Sequence, residues 1–264
     1  MLSQLLPLFP VTGSYKRYKE PFVGGGAVFF ALKAAGALKN VAVELADNNS
    51  LLVRTFEVIR SETGALVLAL KRHVELHSEE HYYAVRKLDR DPDWKPTKIE
   101  LAARYLYMNK TGYNGLHRVN RKGQNNVPFG SYENPTICDE ENLRAVASAL
   151  RGVSIVYSDF EEIVKWAGPG DFVYLDSPYA PLSATSSFTA YTADGFGLED
   201  QQRLAAAYRA ADTRGAKLVL SNSDCPLVRE LYKGYRIEQV QANRAINSKG
   251  GKRGKIPEVV VLNY

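Results

Sequence analysis

In the run VYLDSPYAPL, residues 173–182, a stretch of β-forming residues stops at Asp176 and passes directly into Ser177-Pro178-Tyr179. Pro178 biases Ser177 toward extended backbone, which turns the Ser177 carbonyl outward beside the Asp176 carboxylate. Two acceptors next to a flat aromatic face suit a planar ring bearing an exocyclic amine. The amine donates one hydrogen to Asp176 and the other to the Ser177 carbonyl, while the ring stacks on Tyr179. Adenine, cytosine and an amide side chain all meet that description. A structural turn with an N-capping aspartate is the competing reading.

A second constellation lies in EPFVGGGAVFF, residues 20–30. Glycines at a strand-to-helix turn let a ligand approach the helix N-terminus, because no Cβ stands in the way. The dinucleotide pattern GxGxxG is not met, since Phe29 stands where the third glycine belongs. Asp47 closes the following strand at about the 20-residue spacing where such folds place a carboxylate on a ribose hydroxyl. Together they predict a nucleoside-containing cofactor that needs no pyrophosphate. Between Asn109 and Gly130 lie Lys110, Arg118, Arg121 and Lys122 with no acid, and among them Tyr113, Asn114 and Leu116. Cations with an aromatic, an amide and a leucine suit phosphate neutralisation, base-edge reading and wedging into a base stack. Lys249, Lys252, Arg253 and Lys255 form a second basic segment. His77, Glu80 and His81 fit the HxxEH pattern of inverted zinc peptidases, with His73 one turn earlier. The surrounding KRHVELHSEEH is crowded with charge and reads as an exposed helix face.

The elements that must hold these residues follow an α/β order. A strand near 17–23 meets the glycines, a helix follows in AVFFALKAAGAL, and the strand NVAVELA ends at Asp47. LLVRTFEVIR, ALVLALKRHVEL and IELAARYLYMN carry apolar residues at helical spacing, and 109–130 reads as a loop and hairpin. Strands VSIVYSD, DFVYLD, KLVLSN, YRIEQVQA and PEVVVLNY then resume, with a helix in LEDQQRLAAAYRAA. A mostly parallel sheet covered on both faces is expected, with its first part in 1–50, a helical insertion in 51–135 and its second part in 136–264. The chain of 264 residues has 45% hydrophobic and 24% charged residues, an ordinary globular composition. Its net charge of +5 and pI near 9.0 favour a polyanionic partner. Cys138 and Cys225 form no CxxC pair, which speaks against a disulfide scaffold or a cysteine zinc site. The apolar start MLSQLLPLFP lacks a basic leader and is broken by Pro7 and Pro10, so neither a signal peptide nor a membrane span is expected, and a cytoplasmic protein is.

Phe22-Val23-Gly24-Gly25-Gly26 resembles the FxGxG cofactor motif of amino-methyltransferases, and Asp176-Ser177-Pro178-Tyr179 their (D/N/S)PPY motif. YMNKTGYNGLHRVNRKGQNNVPFG, DSPYAPLSATSSFTAYTADGF and NSKGGKRGKIPEVVVLNY are similar to the Dam-type DNA adenine-N6 methyltransferases, and the similarity covers nearly the whole chain. The resemblance implies a Rossmann-like class I methyltransferase sheet with an inserted, mainly helical target-recognition domain carrying a β-hairpin. It implies methyl transfer from S-adenosyl-L-methionine, with no metal, to adenine N6 in double-stranded DNA within GATC, after base flipping. By that likeness Phe22, Gly24 and Gly26 line the methionine end of the cofactor, Asp47 takes the ribose, and Ser158, Asp159 and Phe160 hold the cofactor adenine. Asp176 and the Ser177 carbonyl orient the target amine, Tyr179 stacks on the base, and Phe188 and Tyr191 close over it. Arg118 becomes the guanine reader, Tyr113 and Asn114 fill the gap left by the base, and a restriction endonuclease is a conceivable companion.

Two departures qualify the likeness. The sequence begins at Met1-Leu2, just after the place of the family's KWAGGK-like segment that contacts the cofactor, so either the start is truncated or that contact is absent. Ser177 stands where the motif's first proline belongs, which removes stiffening worth about 0.4–1 kcal/mol. Reduced activity is therefore expected, and restoring proline is expected to raise turnover. The rival readings are a non-catalytic DNA-binding relative, methylation of RNA or of a protein amide, and an HxxEH zinc hydrolase.

Overall fold

The computed structural model describes residues 2–182, 195–243 and 255–264; Phe188, Tyr191, Lys249, Lys252 and Arg253 lie outside them. Along the chain come α1 (Leu2–Leu5), β1 (Arg17–Glu20), α2 (Ala27–Ala34), β2 (Ala42–Asp47) and α3 (Ser50–Glu75). There follow α4 (Glu79–Lys87), α5 (Lys98–Thr111), α6 (Glu140–Ala149), β3 (Ser154–Tyr157), α7 (Phe160–Val164) and β4 (Asp171–Leu175). The chain ends with α8 (Leu198–Thr213), β5 (Lys217–Ser223), α9 (Pro226–Leu231), β6 (Arg236–Asn243) and β7 (Lys255–Leu262). It divides into two compact units, one built from the residues up to Asn48 and most of those from Val153 onward, the other from Asn49–Gly152.

The first unit holds a seven-stranded sheet in the order β3-β2-β1-β4-β5-β7-β6. All pairs from β3 to β5 are parallel, and β7 runs antiparallel between β5 and β6. Strand order reverses between β1 and β4, and parallel sheets bind ligands at the carboxyl ends of the strands beside that reversal. β4 is buried along its whole length, which explains its nearly unbroken apolar run, because a central parallel strand is covered on both faces. Val173 and Leu175 pack in one cluster with Leu204, Ala205, Tyr208 and Ala211 of α8.

Three carboxylates are buried in this frame among the described residues, Glu20, Asp171 and Glu258. Glu20 ends β1 at 2% exposure and accepts from the buried Tyr18 hydroxyl at 2.7 Å. It also accepts from the Phe29 N–H in the first turn of α2, whose N-cap is Gly26 and has no side chain to do so. Burial pushes its pKa from 4.5 up to about 8, the hydrogen bonds from Tyr18 and Phe29 opposing it and the charge of Asp176 adding to it.

The second unit is helical. The expected helical segments over 51–60 and 65–76 are both present, joined end to end in α3 across a kink at Glu62, whose backbone is non-helical (φ −137°, ψ 33°). The Ser61 and Thr63 hydroxyls bond back to the carbonyls of Glu57 and Ile59, which bends the helix without ending it. Helix α6 lies in this unit, which extends to Gly152, and is tied to α3 by Lys71–Glu140 at 2.8 Å. Thr97 and Glu100 form a capping box on α5. Antiparallel pairing in the basic loop is limited to the bridges Gly112↔Phe129 and Val119↔Asn125. The loop's carbonyls instead meet side chains: Tyr82 and Arg86 donate to Val127 and Arg90 to Asn125. Arg104, 7% exposed, pairs with Asp89, and Asp89 also accepts from the Asn125 N–H.

Glu20 makes stability depend on pH. Its folded pKa is raised, so the stabilisation is full below about pH 4.5 and is lost as pH climbs through about 8. The slope is at most about 1.4 kcal/mol per pH unit. Glu20→Gln, which mimics the neutral carboxyl, is expected to raise the melting temperature at pH 8.5 and leave it nearly unchanged at pH 5. Parallel melting curves at both pH values check this, and an equal shift at each would contradict it.

Candidate active site

The glycine turn leaves β1 and enters α2. Gly26 has φ +72°, and a Cβ there would lie 2.7 Å from the Phe30 ring, so glycine is required. Gly24 and Gly25 have no atoms within 4 Å of where a Cβ would stand. Their backbone thus faces open space that a ligand can enter. Asp47, at the end of β2, reaches this turn: its Oδ2 accepts from the Gly24 N–H at 3.0 Å. Phe22 stacks on Phe160 with centroids 5.3 Å apart, bringing together residues far apart in sequence. Phe196, which the sequence reading did not single out, adds an edge to Phe22 at 5.8 Å. Asp159 caps α7 through the Glu161 N–H at 2.9 Å and pairs with Arg203 at 3.0 Å. Arg203 covers the Phe160 ring at 5.0 Å. Ser158 donates its backbone N–H to the Asp47 carbonyl.

At the end of β4, Asp176 is partly exposed and Ser177 is 2% exposed. The turn is clamped by two fully buried amides, Gln201 of α8 and Asn222 of β5. Gln201 Nε2 donates to the Pro178 carbonyl at 2.8 Å, and Asn222 Oδ1 accepts from the Ala180 N–H at 2.8 Å. Asn222 Nδ2 reaches Gln201 Oε1 at 3.2 Å and Ser177 Oγ at 3.4 Å. Among the described residues no hydrogen bond takes the Ser177 carbonyl, so that oxygen is available to a ligand's donor. The polar triplet Ser221-Asn222-Ser223 closing an apolar strand was the signal that sequence reading passed over.

Asp176 has its pKa raised from 3.8 to about 6, first by burial and then by the charge of Glu258, with the Tyr179 hydroxyl opposing. It is therefore an anion, and an acceptor, at neutral pH. Tyr179 is held with its hydroxyl donating to Glu258 Oε2 at 3.1 Å. Burial and the two carboxylates keep that phenol protonated.

In the helical unit the cations expected to meet DNA are all exposed: Lys110 at the end of α5, then Arg118, Arg121 and Lys122. Tyr113 is exposed and Asn114 adopts φ 55°, which places both on a tight turn, with Leu116 half-buried just after it. Arg118 is steadied by Asn126, through Oδ1 at 2.7 Å and the carbonyl at 3.2 Å. The HxxEH residues do not share a helix face. Ser78 caps α4 by accepting from the His81 N–H, so His77 lies before that helix. His77 bonds the Tyr107 hydroxyl at 3.1 Å, while His73 and His81 bond each other at 3.0 Å. Among the described residues no group of three or more His, Cys, Asp or Glu is arranged to hold a metal ion, and no helix is long and apolar enough to cross a membrane.

Comparison with known proteins agrees with this geometry. The chain is 42% identical over 266 residues to Type II methyltransferase M1.LlaDCHI of Lactococcus lactis subsp. cremoris, covering 99% of this chain and 92% of the relative. It is 42% identical over 280 residues to Type II methyltransferase M.MjaIII of Methanocaldococcus jannaschii, covering 100% and 95%. The DNA adenine methylase of Escherichia coli K12 is 35% identical over 248 residues, covering 92% and 84%. Residues 1–246 match the D12 class N6 adenine-specific DNA methyltransferases. An α/β sheet with a glycine turn, an acid on the next strand and a DSPY turn at the strand reversal is thus the scaffold of an enzyme, and the chain belongs to the D12 class of N6 adenine-specific DNA methyltransferases.

Proposed function

We propose that this chain methylates N6 of an adenine swung out of duplex DNA, within GATC, using S-adenosylmethionine. The observation that carries the reading is an ionised Asp176 carboxylate followed directly by Ser177, whose carbonyl takes no hydrogen bond among the described residues, with the Tyr179 ring two residues on. The glycine turn and Asp47 support the cofactor. Their open backbone fits the close approach of a methionine end, and the Asp47 carboxylate stands where a ribose would present its hydroxyls. Bound there, S-adenosylmethionine supplies a sulfonium methyl, and its transfer leaves a thioether and one surplus proton on N6.

The protein's part is to make a poor nucleophile reactive. The N6 lone pair of adenine is delocalised into the ring. Asp176 and the Ser177 carbonyl, each holding one N6 hydrogen, favour a tetrahedral nitrogen whose lone pair points out of the ring plane. Fixed acceptors of this kind supply several kcal/mol because they need no reorganisation as charge develops. Tyr179 offers its face to the extruded base, offsetting part of the few kcal/mol lost on unstacking. Arg118 reads a guanine edge, Arg121 and Lys122 meet phosphates, and Leu116 with Tyr113-Asn114 fills the vacated stack. The GATC target rests on the likeness of the 107–130 segment to Dam-type enzymes. A restriction nuclease as companion is supported by the Type II naming of the two relatives at 42% identity.

The Ser177 hydroxyl lies within hydrogen-bond distance of Asn222. Proline would stiffen the chain by about 0.4–1 kcal/mol and forfeit a bond worth about as much. Ser177→Pro is therefore expected to change turnover by less than about threefold, and a tenfold rise would show that the clamp does not replace the missing ring.

Asp176→Ala is expected to leave duplex binding within about threefold while lowering turnover on the order of a hundredfold or more. Labelled-methyl transfer to a GATC duplex, run beside a binding titration, measures both; retained turnover would contradict the assigned role. Tyr179→Ala is expected to weaken capture of the extruded base by roughly 1–3 kcal/mol. Arg118→Ala should flatten the preference for GATC over single-base variants, whereas Lys122→Ala should mainly reduce the salt dependence of binding. Equal weakening on every sequence by Arg118→Ala would remove it as a base reader.

A further inference from the structure

Asp176 is accompanied by a second carboxylate that the reading above leaves without a task. Glu258 lies on β7 at 4% exposure, and its Oε2 accepts from the Tyr179 hydroxyl at 3.1 Å. Its backbone is paired on both sides, with Ser223 of β5 and Val240 of β6. A charged group on a doubly paired, buried strand position is costly unless it is hydrogen-bonded and used. In the run IPEVVVLNY it interrupts an otherwise apolar strand. The Tyr179 hydroxyl that it holds also hydrogen-bonds Asp176, and the charge of Glu258 acts directly on Asp176. One phenol therefore links two carboxylates.

We propose that Glu258 is a positioning residue for methyl transfer: it fixes the plane of the Tyr179 ring from β7 and sets a second negative charge behind Asp176. This deepens the functional reading above and rests on it, by saying where the amine proton goes. Methyl transfer leaves N6 with one proton too many. That proton passes to an Asp176 oxygen, giving a neutral secondary amine and a neutral carboxyl. A lone aspartate is a weak base for this purpose. The charge of Glu258 strengthens it, while Asp176 still remains ionised before the reaction. Among the described residues the other titratable groups acting on Asp176 do not supply that charge. Glu20 on β1 is neutral up to about pH 8, Tyr174 on β4 is buried and held protonated, and the Tyr179 hydroxyl acts in the opposite sense.

The test reads Asp176 directly in the full-length protein without substrate. With 13C-carboxyl aspartate incorporated and the Asp176 signal identified by its loss in Asp176→Asn, the titration midpoint is followed by NMR. Glu258→Gln keeps an oxygen for the Tyr179 hydroxyl and deletes the charge. It is expected to lower the Asp176 midpoint from about 6 by about half a pH unit or more. It should also move the acid limb of kcat/KM down by the same amount and reduce turnover at pH 8 severalfold. Tyr179→Phe removes the bridging hydroxyl and is expected to move the midpoint the other way, upward. An unmoved midpoint in Glu258→Gln overturns the proposal; should that variant not fold, an unmoved midpoint in Tyr179→Phe does so. A merely structural role for Glu258 would lower the melting temperature without moving the midpoint. Wild-type protein that methylates no adenine at any pH would sink the functional reading instead, and the titration would remain readable.

Discussion

The clamp formed by Gln201 and Asn222 is the constraint on which the site depends. These two buried amides engage the Pro178 carbonyl, the Ala180 N–H and the Ser177 hydroxyl, and they bond each other. Their hydrogen bonds fix the turn after β4 without touching the two oxygens that a target amine needs. A buried amide network is costly when partly satisfied and rigid when complete. Here it comes from α8 and β5, elements already locked into the core around β4. The precision of the turn is thus inherited from the sheet. It also explains how serine can occupy a position where the family motif carries proline.

Charge is handled at this edge by keeping few groups ionised. Glu20 is buried and neutral at neutral pH, where it serves as a hydrogen-bond acceptor for Tyr18 and for the first turn of α2. Asp176 is partly exposed and ionised, and its pKa near 6 leaves it both an acceptor before methyl transfer and a base after it. Two carboxyl groups at the ends of neighbouring strands thus take opposite protonation states at neutral pH because burial raises Glu20 to about 8 but Asp176 only to about 6.

Much of this was legible in the sequence. Glycines at a strand-to-helix turn, an acid ending the next strand and DSPY ending another can only meet if the strands are parallel, and β1, β2 and β4 are. What stayed hidden came from long-range hydrogen bonding. Gln201 reads as an ordinary polar residue of an amphipathic helix, and nothing local announces that it faces a turn 23 residues upstream. The break in apolar spacing at Ser61–Gly64 coincides with the kink of α3 at Glu62, where the Ser61 and Thr63 hydroxyls bond back to carbonyls one turn earlier. The loop after α5 was read as a hairpin from its composition. Its two arms are joined by the bridges Gly112↔Phe129 and Val119↔Asn125 and by backbone bonds such as Asn126 N–H to the Arg118 carbonyl around a turn at 120–124, while Tyr82, Arg86 and Arg90 anchor its returning arm.

The most direct test of the central claim is a crystal structure of the protein with a GATC duplex and a non-reactive analogue of the methyl donor. The expected result is an adenine out of the stack against Tyr179, with N6 at about 3 Å from both an Asp176 oxygen and the Ser177 carbonyl. An adenine that enters the pocket with N6 turned away from Asp176, or that stays paired in the duplex, would contradict it.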